Sequence, residues 1–529
     1  MPEIDKLQSR LRRGLVSRRQ FMEGAIALGV SVIAAEGMMK SARAATPKKG
    51  GTFRVGLGGA STTDLMDPAT FISTFTQIGN SFGLYNQLTE VAPDGSLVPE
   101  LAESFEATKD AKTWTFKLRK GVTFHDGKTL TPDDVVASVQ HHRGADSKSA
   151  LKPLLEPVEE IKIDGDNIVF KLKEGNADFP FLMNDYHLPI CPSKEGKIDF
   201  ASGNGTGPYK FVSLDPGVKF VLDRNPNYWK EGRAHFDQCV MLGIPDATAR
   251  QNALVSGEVD AINHVDLKTA NLLGQTAGIK LEEHTGTQHF TLPMNCTVAP
   301  FDNVDVRLAL KYAIDRDALV KAILFGHGLP ANDHPIAPAN IYYAGDIEQR
   351  KFDPDKAKFH LKKAGIDKLK VDLSAADTAF AGATDTATLY SEQAAKCGIE
   401  INVIREPNDG YWTNVWMKKP WSASYWGGRP TEDWMFTIGY AKGGAWNESF
   451  WSNDKFMELL TTARAELDTT KRREMYREMQ QIVRDDGGSV IPMYANWVDA
   501  RSEKVAHDDK VAANWELDGW KVLERWWFA

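Results

Sequence analysis

The segment KLKVDLSAAD, then TATLYSEQAAKCG, then IEINVI constrains the chain most. Two short β-branched runs flank a stretch with helical periodicity, and a strand–helix–strand unit of this kind belongs to an α/β fold with a mostly open sheet. The same logic recurs elsewhere. In GGTFRVGLGGA, Phe53 and Val55 alternate toward one face before a glycine loop. In TWTFKLRKGVTFHDGKTLTPDDVVASVQ, Trp114, Phe116 and Leu118 share a strand face, Asp126-Gly127 turns the chain, and Thr131, Pro132 and Asp134 supply N-cap, N1 and N3 of a helix. NVDVRLALKYAIDRDALVKAILFGHG reads as two consecutive helices stopped at Gly326, TTARAELDTTKRREMYREMQQIVRDDG as helical, and VIPMYANWV as a strand.

The first residues follow a different rule. Basic KLQSRLRRGLVSRRQF precedes the mildly apolar GAIALGVSVIAAEGMM and then SARAA, the order of an export signal with cleavage after Ala44. The apolar run contains Glu36 and is shorter than the ~20 residues that span a bilayer. Ser17-Arg18-Arg19-Gln20-Phe21-Met22 resembles the twin-arginine export motif. Removing residues 1–44 leaves 55 basic and 67 acidic residues, a net charge of −12. A nucleic-acid partner is excluded on that balance, because phosphate binding draws on basic surface.

Familiar catalytic and metal patterns are absent. GLGGAS lacks the last glycine of a dinucleotide loop, and no GxxxxGK[ST], HExxH or GxSxG occurs. Cys191, Cys239, Cys296 and Cys397 lie at least 48 residues apart, which leaves one disulfide open but disfavours a zinc or iron–sulfur site. His141 and His142 are adjacent on a helix and read as surface residues. His284 and His289 sit on opposite faces of a strand, so neither pair shares a metal.

Several segments together resemble the extracytoplasmic solute-binding proteins of ABC importers, of the peptide/nickel (oligopeptide- and dipeptide-binding) type. They are YNQLTEVAPDGSLVPELAESFE, WTFKLRKGVTFHDGKTLTPDDVVAS, GTGPYKFVSLDPGVKFVLDRNPNYW, PFDNVDVRLALKYAIDRDALV, FDPDKAKFHLKKAGI and RREMYREMQQIV with IPMY. The resemblance implies two α/β lobes joined by hinge strands, an extra subdomain in the first lobe, and a solute enclosed when the lobes close. It implies a first lobe of residues 45–295 completed by 491–529, a second of 296–490, and a monomer in the periplasm serving an ABC permease and its ATPase subunits. It implies no enzyme activity, cofactor or bound metal. A receptor for a metal chelate or haem, and a secreted hydrolase, are the alternatives. Arg307 and Arg316 read as structural ion-pair or helix-end residues, and the HDG turn and GTGPY loop as backbone punctuation.

Seven of the fourteen tryptophans fall within residues 412–451, where an even spread would place about one. The stretch WGGRPTEDWMF, residues 426–436, sits among them; glycines between aromatic rings let a ligand approach both backbone and ring faces. Set against the family loop, Arg429 stands where peptide binders carry an acid for the peptide ammonium, and Asp377 where they carry an arginine for its carboxylate. Both charges are reversed. Arg429 then needs a partner, either Asp433 or Glu432 in the same loop or an anionic group on a peptide-like, charged or zwitterionic solute. The candidate site comprises Trp426, Gly427, Arg429, Asp433, Asp377, Trp412 and Trp446, with Tyr85 from YNQLTEV and Asn295 from the exit of the first lobe.

Overall fold

A computed structural model describes residues 3, 4, 7, 10, 16–30, 35, 47–444 and 446–529. Its frame is a nine-stranded sheet in which Thr52–Leu57 pairs in parallel with Gln238–Gly243 and with Ala261–Ile262. Beyond these lie two long antiparallel strands, Ile279–Pro293 and Ser489–Ser502. Their ladder runs through residues 279–285 against 496–502, breaks at 286–288, and resumes through 289–293 against 489–494. At the break a β-carbon on Gly286 would lie 2.3 Å from Trp497 Nε1, so only glycine lets the strands cross there.

One end of this ladder belongs to a lobe whose core gathers Phe53, Val55, Phe220, Met241 and Trp526. The other end belongs to a second lobe. There Leu369–Ala375 and Ile399–Arg405 pair in parallel, joined by the helix Ala383–Ala395, over a core that includes Leu292, Leu310, Leu373, Tyr390 and Trp421. A third core lies under the four-stranded sheet of Ala102–Ala107, Thr113–Leu118, Asn167–Leu172 and Val158–Asp164, where Trp114, Phe116, Val135 and Phe170 are buried. Each such side chain stabilises the fold by roughly 1.5–3 kcal/mol on burial.

Local signals act as their chemistry dictates. The Thr131 N–H and hydroxyl both donate to Asp134 Oδ2, at 2.9 and 2.8 Å, and open the helix Pro132–Arg143. Val304–Tyr312 and Arg316–Ile323 are the two consecutive helices. The helical stretch before Gly487 divides in two, Asp454–Ala465 and Thr469–Asp486, because the Asp468 carboxylate accepts from the N–H groups of Thr470 and Lys471 and starts a new helix. The HDG turn and GTGPY loop hold each other, with Gly205 N donating to His125 Nδ1 at 3.2 Å. His142 corrects the surface expectation: it is buried, its Nδ1 2.7 Å from Ser149 Oγ. All four cysteines are free thiols.

Ser17 caps the helix Arg18–Ala27 by accepting from Gln20 N, so the twin-arginine stretch forms a first helical turn. The expected cleavage point at Ala44 lies outside the described residues. No helix among the described residues is long and apolar enough to cross a membrane.

Charge inside the lobes is neutralised by dense pairing. Asp333 receives both oxygens' worth of contact from Arg316 Nη2, at 2.6 and 2.7 Å, a further bond from Arg350 Nη1 and one from Ile491 N at 3.0 Å. Arg307 reaches Asp486 and the carbonyl of Phe301, so both arginines are structural. Burial raises the Asp333 pKa, but the neighbouring guanidiniums outweigh it and bring the group from 3.8 to about 2. This contribution is therefore present above the unfolded value and is lost as pH falls from about 4 toward 2. Asp333→Asn should cost about 3–5 kcal/mol in chemical denaturation at neutral pH, and its stability should fall less steeply than the wild type's over that acid range.

Candidate ligand-binding cleft

The strand Ser424–Trp426 pairs antiparallel with residues 289–291 of the first long strand, which places Trp426 opposite His289 beside the strand crossing. The chain then turns sharply. Gly428 has φ +86°, and a β-carbon there would fall 1.8 Å from Thr287 Oγ1, so the loop lies directly on the crossing strand. Thr431 Oγ1 accepts from Trp434 N at 3.3 Å and caps the helix Glu432–Gly439. Arg429 and Pro430 are left on the crest between strand and helix, facing a cavity of about 310 Å³ between the lobes. Phe82, Tyr186, Thr287, Ile341 and Trp515 form other parts of its wall.

The Arg429 guanidinium lies 5.2 Å from the Trp426 ring centre and 5.5 Å from that of Trp446. Such contacts contribute roughly 0.5–2 kcal/mol each and fix the plane of the group. Its Nη1 donates to the Gly428 carbonyl. Among the described residues no carboxylate comes within ion-pairing distance of it. Burial pushes its pKa below the ordinary arginine value, partly offset by Tyr186, Tyr425 and Asp185.

Neither carboxylate of the loop supplies the partner. Both oxygens of Asp433 accept from Arg464 Nε, at 3.0 and 3.2 Å, and Glu432 accepts from Tyr342 N at 2.7 Å. Burial raises Glu432 to about 7 and Asp433 to about 6. The helix beginning at Glu432 turns both acids away from the crest toward the residues behind it. Intraloop neutralisation of Arg429 is thus corrected.

The tryptophans are organised by a residue that sequence reasoning passed over. Glu448 is buried and accepts from Trp426 Nε1 at 3.0 Å, Trp416 Nε1 at 2.5 Å, Ser424 Oγ at 2.5 Å and Thr291 Oγ1 at 3.2 Å. Desolvation raises its pKa and these donors oppose the rise. Trp446 packs on Trp426 and Trp416, with ring centres 5.9 and 6.4 Å apart, while Trp412 continues the row beyond Trp416. An acid in WNES among so many indoles was the available signal, since a buried carboxylate needs donors.

Other candidates lie apart from the cavity. Gly427 is open to the loop surface, with nothing near a β-carbon built on it. Trp412 is 39% exposed at the outer end of the ring row. Asp377 is exposed and accepts from Thr384 N at 3.1 Å, next to the start of a helix. Asn295 accepts from the N–H and hydroxyl of Thr297. Tyr85 is fully buried in the first lobe's core and its hydroxyl donates to the Phe200 carbonyl. None of these five, nor Asp433, Trp426 or Trp446, lines the cavity: of the expected residues Arg429 alone does so, with the two tryptophan rings against its guanidinium.

Among the described residues, Glu90, Glu100 and Glu524 are the carboxylates close enough together to hold a metal ion. Lys230 Nζ already sits among them at 2.5, 2.5 and 3.1 Å, and Lys521 and Arg525 complete the pairing. The group is an ion-pair knot inside the first lobe, remote in character from a solvent-facing ligand site.

The family model for bacterial extracellular solute-binding proteins, family 5 Middle, matches residues 96–448, well over half of the chain. The dipeptide-binding protein of Escherichia coli (strain K12) is 28% identical over 470 residues, covering 80% of this chain and 86% of that protein. Heme-binding protein A of Haemophilus influenzae is 33% identical over 330 residues, 56% of this chain and 59% of its own. Among solved structures, HbpA2 from Haemophilus parasuis superposes with a TM-score of 0.76 at 24% identity, over 86% of this chain and 96% of that one, a likeness of fold. The two-lobed architecture is that of the similar structures, and the chain belongs to the bacterial extracellular solute-binding proteins of family 5.

Proposed function

We propose that this receptor captures a small solute through an anionic group held by Arg429, and presents it to an ABC permease and its ATPase subunits. One observation carries the reading: a largely buried guanidinium, set against the rings of Trp426 and Trp446, faces the inter-lobe cavity without a carboxylate partner among the described residues. A buried charge left unpaired costs several kcal/mol, of order 3–5, and an incoming carboxylate or phosphate relieves that cost by bidentate bonding. Ligand contacts to both walls favour the closed arrangement of the lobes.

The same proposal includes export by the twin-arginine route with loss of residues 1–44, action as a monomer in the periplasm, and a first lobe of 45–295 completed by 491–529 around a second of 296–490. The dipeptide-binding relative supports a peptide-like solute, with the charge at position 429 marking a different end group.

Native mass spectrometry of the protein purified without refolding should reveal a co-purifying molecule of acidic character. In calorimetry with that molecule, Arg429→Ala should weaken binding by at least about tenfold, close to 1.4 kcal/mol. Arg429→Lys should recover little, because an ammonium neither stacks on indole rings nor forks onto a carboxylate. Unchanged affinity in both variants removes Arg429 from the site. Glu448→Gln, which turns an acceptor of four donors into a mixed group, should lower stability by roughly 1–3 kcal/mol and alter near-ultraviolet circular dichroism of the tryptophan row.

A further inference from the structure

A second cavity, of about 240 Å³, adjoins the first along the seam between the lobes. Phe181 lines both, and the loop passes from one to the other within a single residue step, Pro430 facing the first and Thr431 the second. Leu154, Leu182, Trp434 and Ile438 give the second compartment an apolar wall.

Its charge is opposite to that of the first. The first compartment is lined by Lys510 and by Arg429, which has no carboxylate partner among the described residues, while Asp185 is occupied by His187 at 2.8 Å and Asp94 accepts from Ser96 within its own turn. In the second, Glu174, Asp178 and Asp433 line the space against one base, Arg464, which is already committed to Asp433. Asp178 gives one oxygen to Arg472 at 2.8 Å, while its Oδ2 has no hydrogen-bond partner among the described residues although the side chain is only 9% exposed. The carboxylates therefore outnumber the cations that face them, and burial holding Asp433 up at about 6 agrees with that imbalance.

Resting on the reading of Arg429 above, we propose that the solute is a zwitterion with well-separated charges: its anion meets Arg429, an apolar middle passes Phe181, and a cationic nitrogen ends among Asp178, Glu174 and Asp433. An extended amino acid or short peptide with a basic end group has this chemistry. A solute bearing an anion alone would leave the second compartment unfilled.

The test uses the unaltered full-length protein and two matched probe series, ω-amino carboxylates of increasing chain length and the alkanoates of the same lengths, titrated by calorimetry. Beyond a threshold length the amino carboxylate should bind at least about tenfold more tightly than its alkanoate, since a charge-assisted bond replaces a bare methyl in an acid-lined space. Glu174→Gln and Asp178→Asn should reduce that advantage by weakening the binding of the long amino carboxylates. The exposed Glu174 serves as the control for Asp178, whose loss also frees Arg472. Alkanoates that match or exceed the amino carboxylates at every length, yet depend on Arg429, overturn the second compartment and keep the anion reading. Binding by neither series, or binding indifferent to Arg429→Ala, overturns both.

Discussion

The antiparallel ladder between Ile279–Pro293 and Ser489–Ser502 is the constraint around which the rest is arranged. Both strands pass from one core to the other, so each lobe is completed by chain from both sides of the crossing. Backbone hydrogen bonds hold the two halves of the ladder on either side of the break at 286–288. Gly286 makes the crossing possible by admitting the Trp497 ring against the backbone.

Four groups of buried charge share this frame, and comparing them isolates the unusual one. Glu90, Glu100 and Glu524 are matched by Lys230, Lys521 and Arg525, and Asp333 by Arg316 and Arg350. Asp178 and Arg472 pair across the seam between the first lobe's subdomain and the second lobe. The first two groups carry their compensation within the protein, while Asp178 pairs through one oxygen only. Arg429 carries only ring faces and one carbonyl, and a site left incomplete in this way is where a ligand adds most.

The fold was legible because its signals are local. Alternation at Trp114, Phe116 and Leu118, the cap at Thr131 and the strand–helix–strand around residues 383–395 each depend on neighbours within a few positions. The tryptophan-rich loop and Arg429 were also visible, by clustering and by charge reversal. Partnerships were not. Asp433 looks near enough to Arg429 in sequence to neutralise it, yet helical geometry from Glu432 onward sends it to Arg464, 31 residues away. Glu448 serves tryptophans on two separate segments, which no spacing rule encodes. Asp377, counted into place through a variable stretch, instead lies exposed beside the start of a helix.

Gly428 rests on Thr287, within the break of the crossing ladder, and it directly precedes Arg429 in the chain. The guanidinium proposed to meet the solute is consequently one residue removed from the place where the backbone of the two lobes crosses.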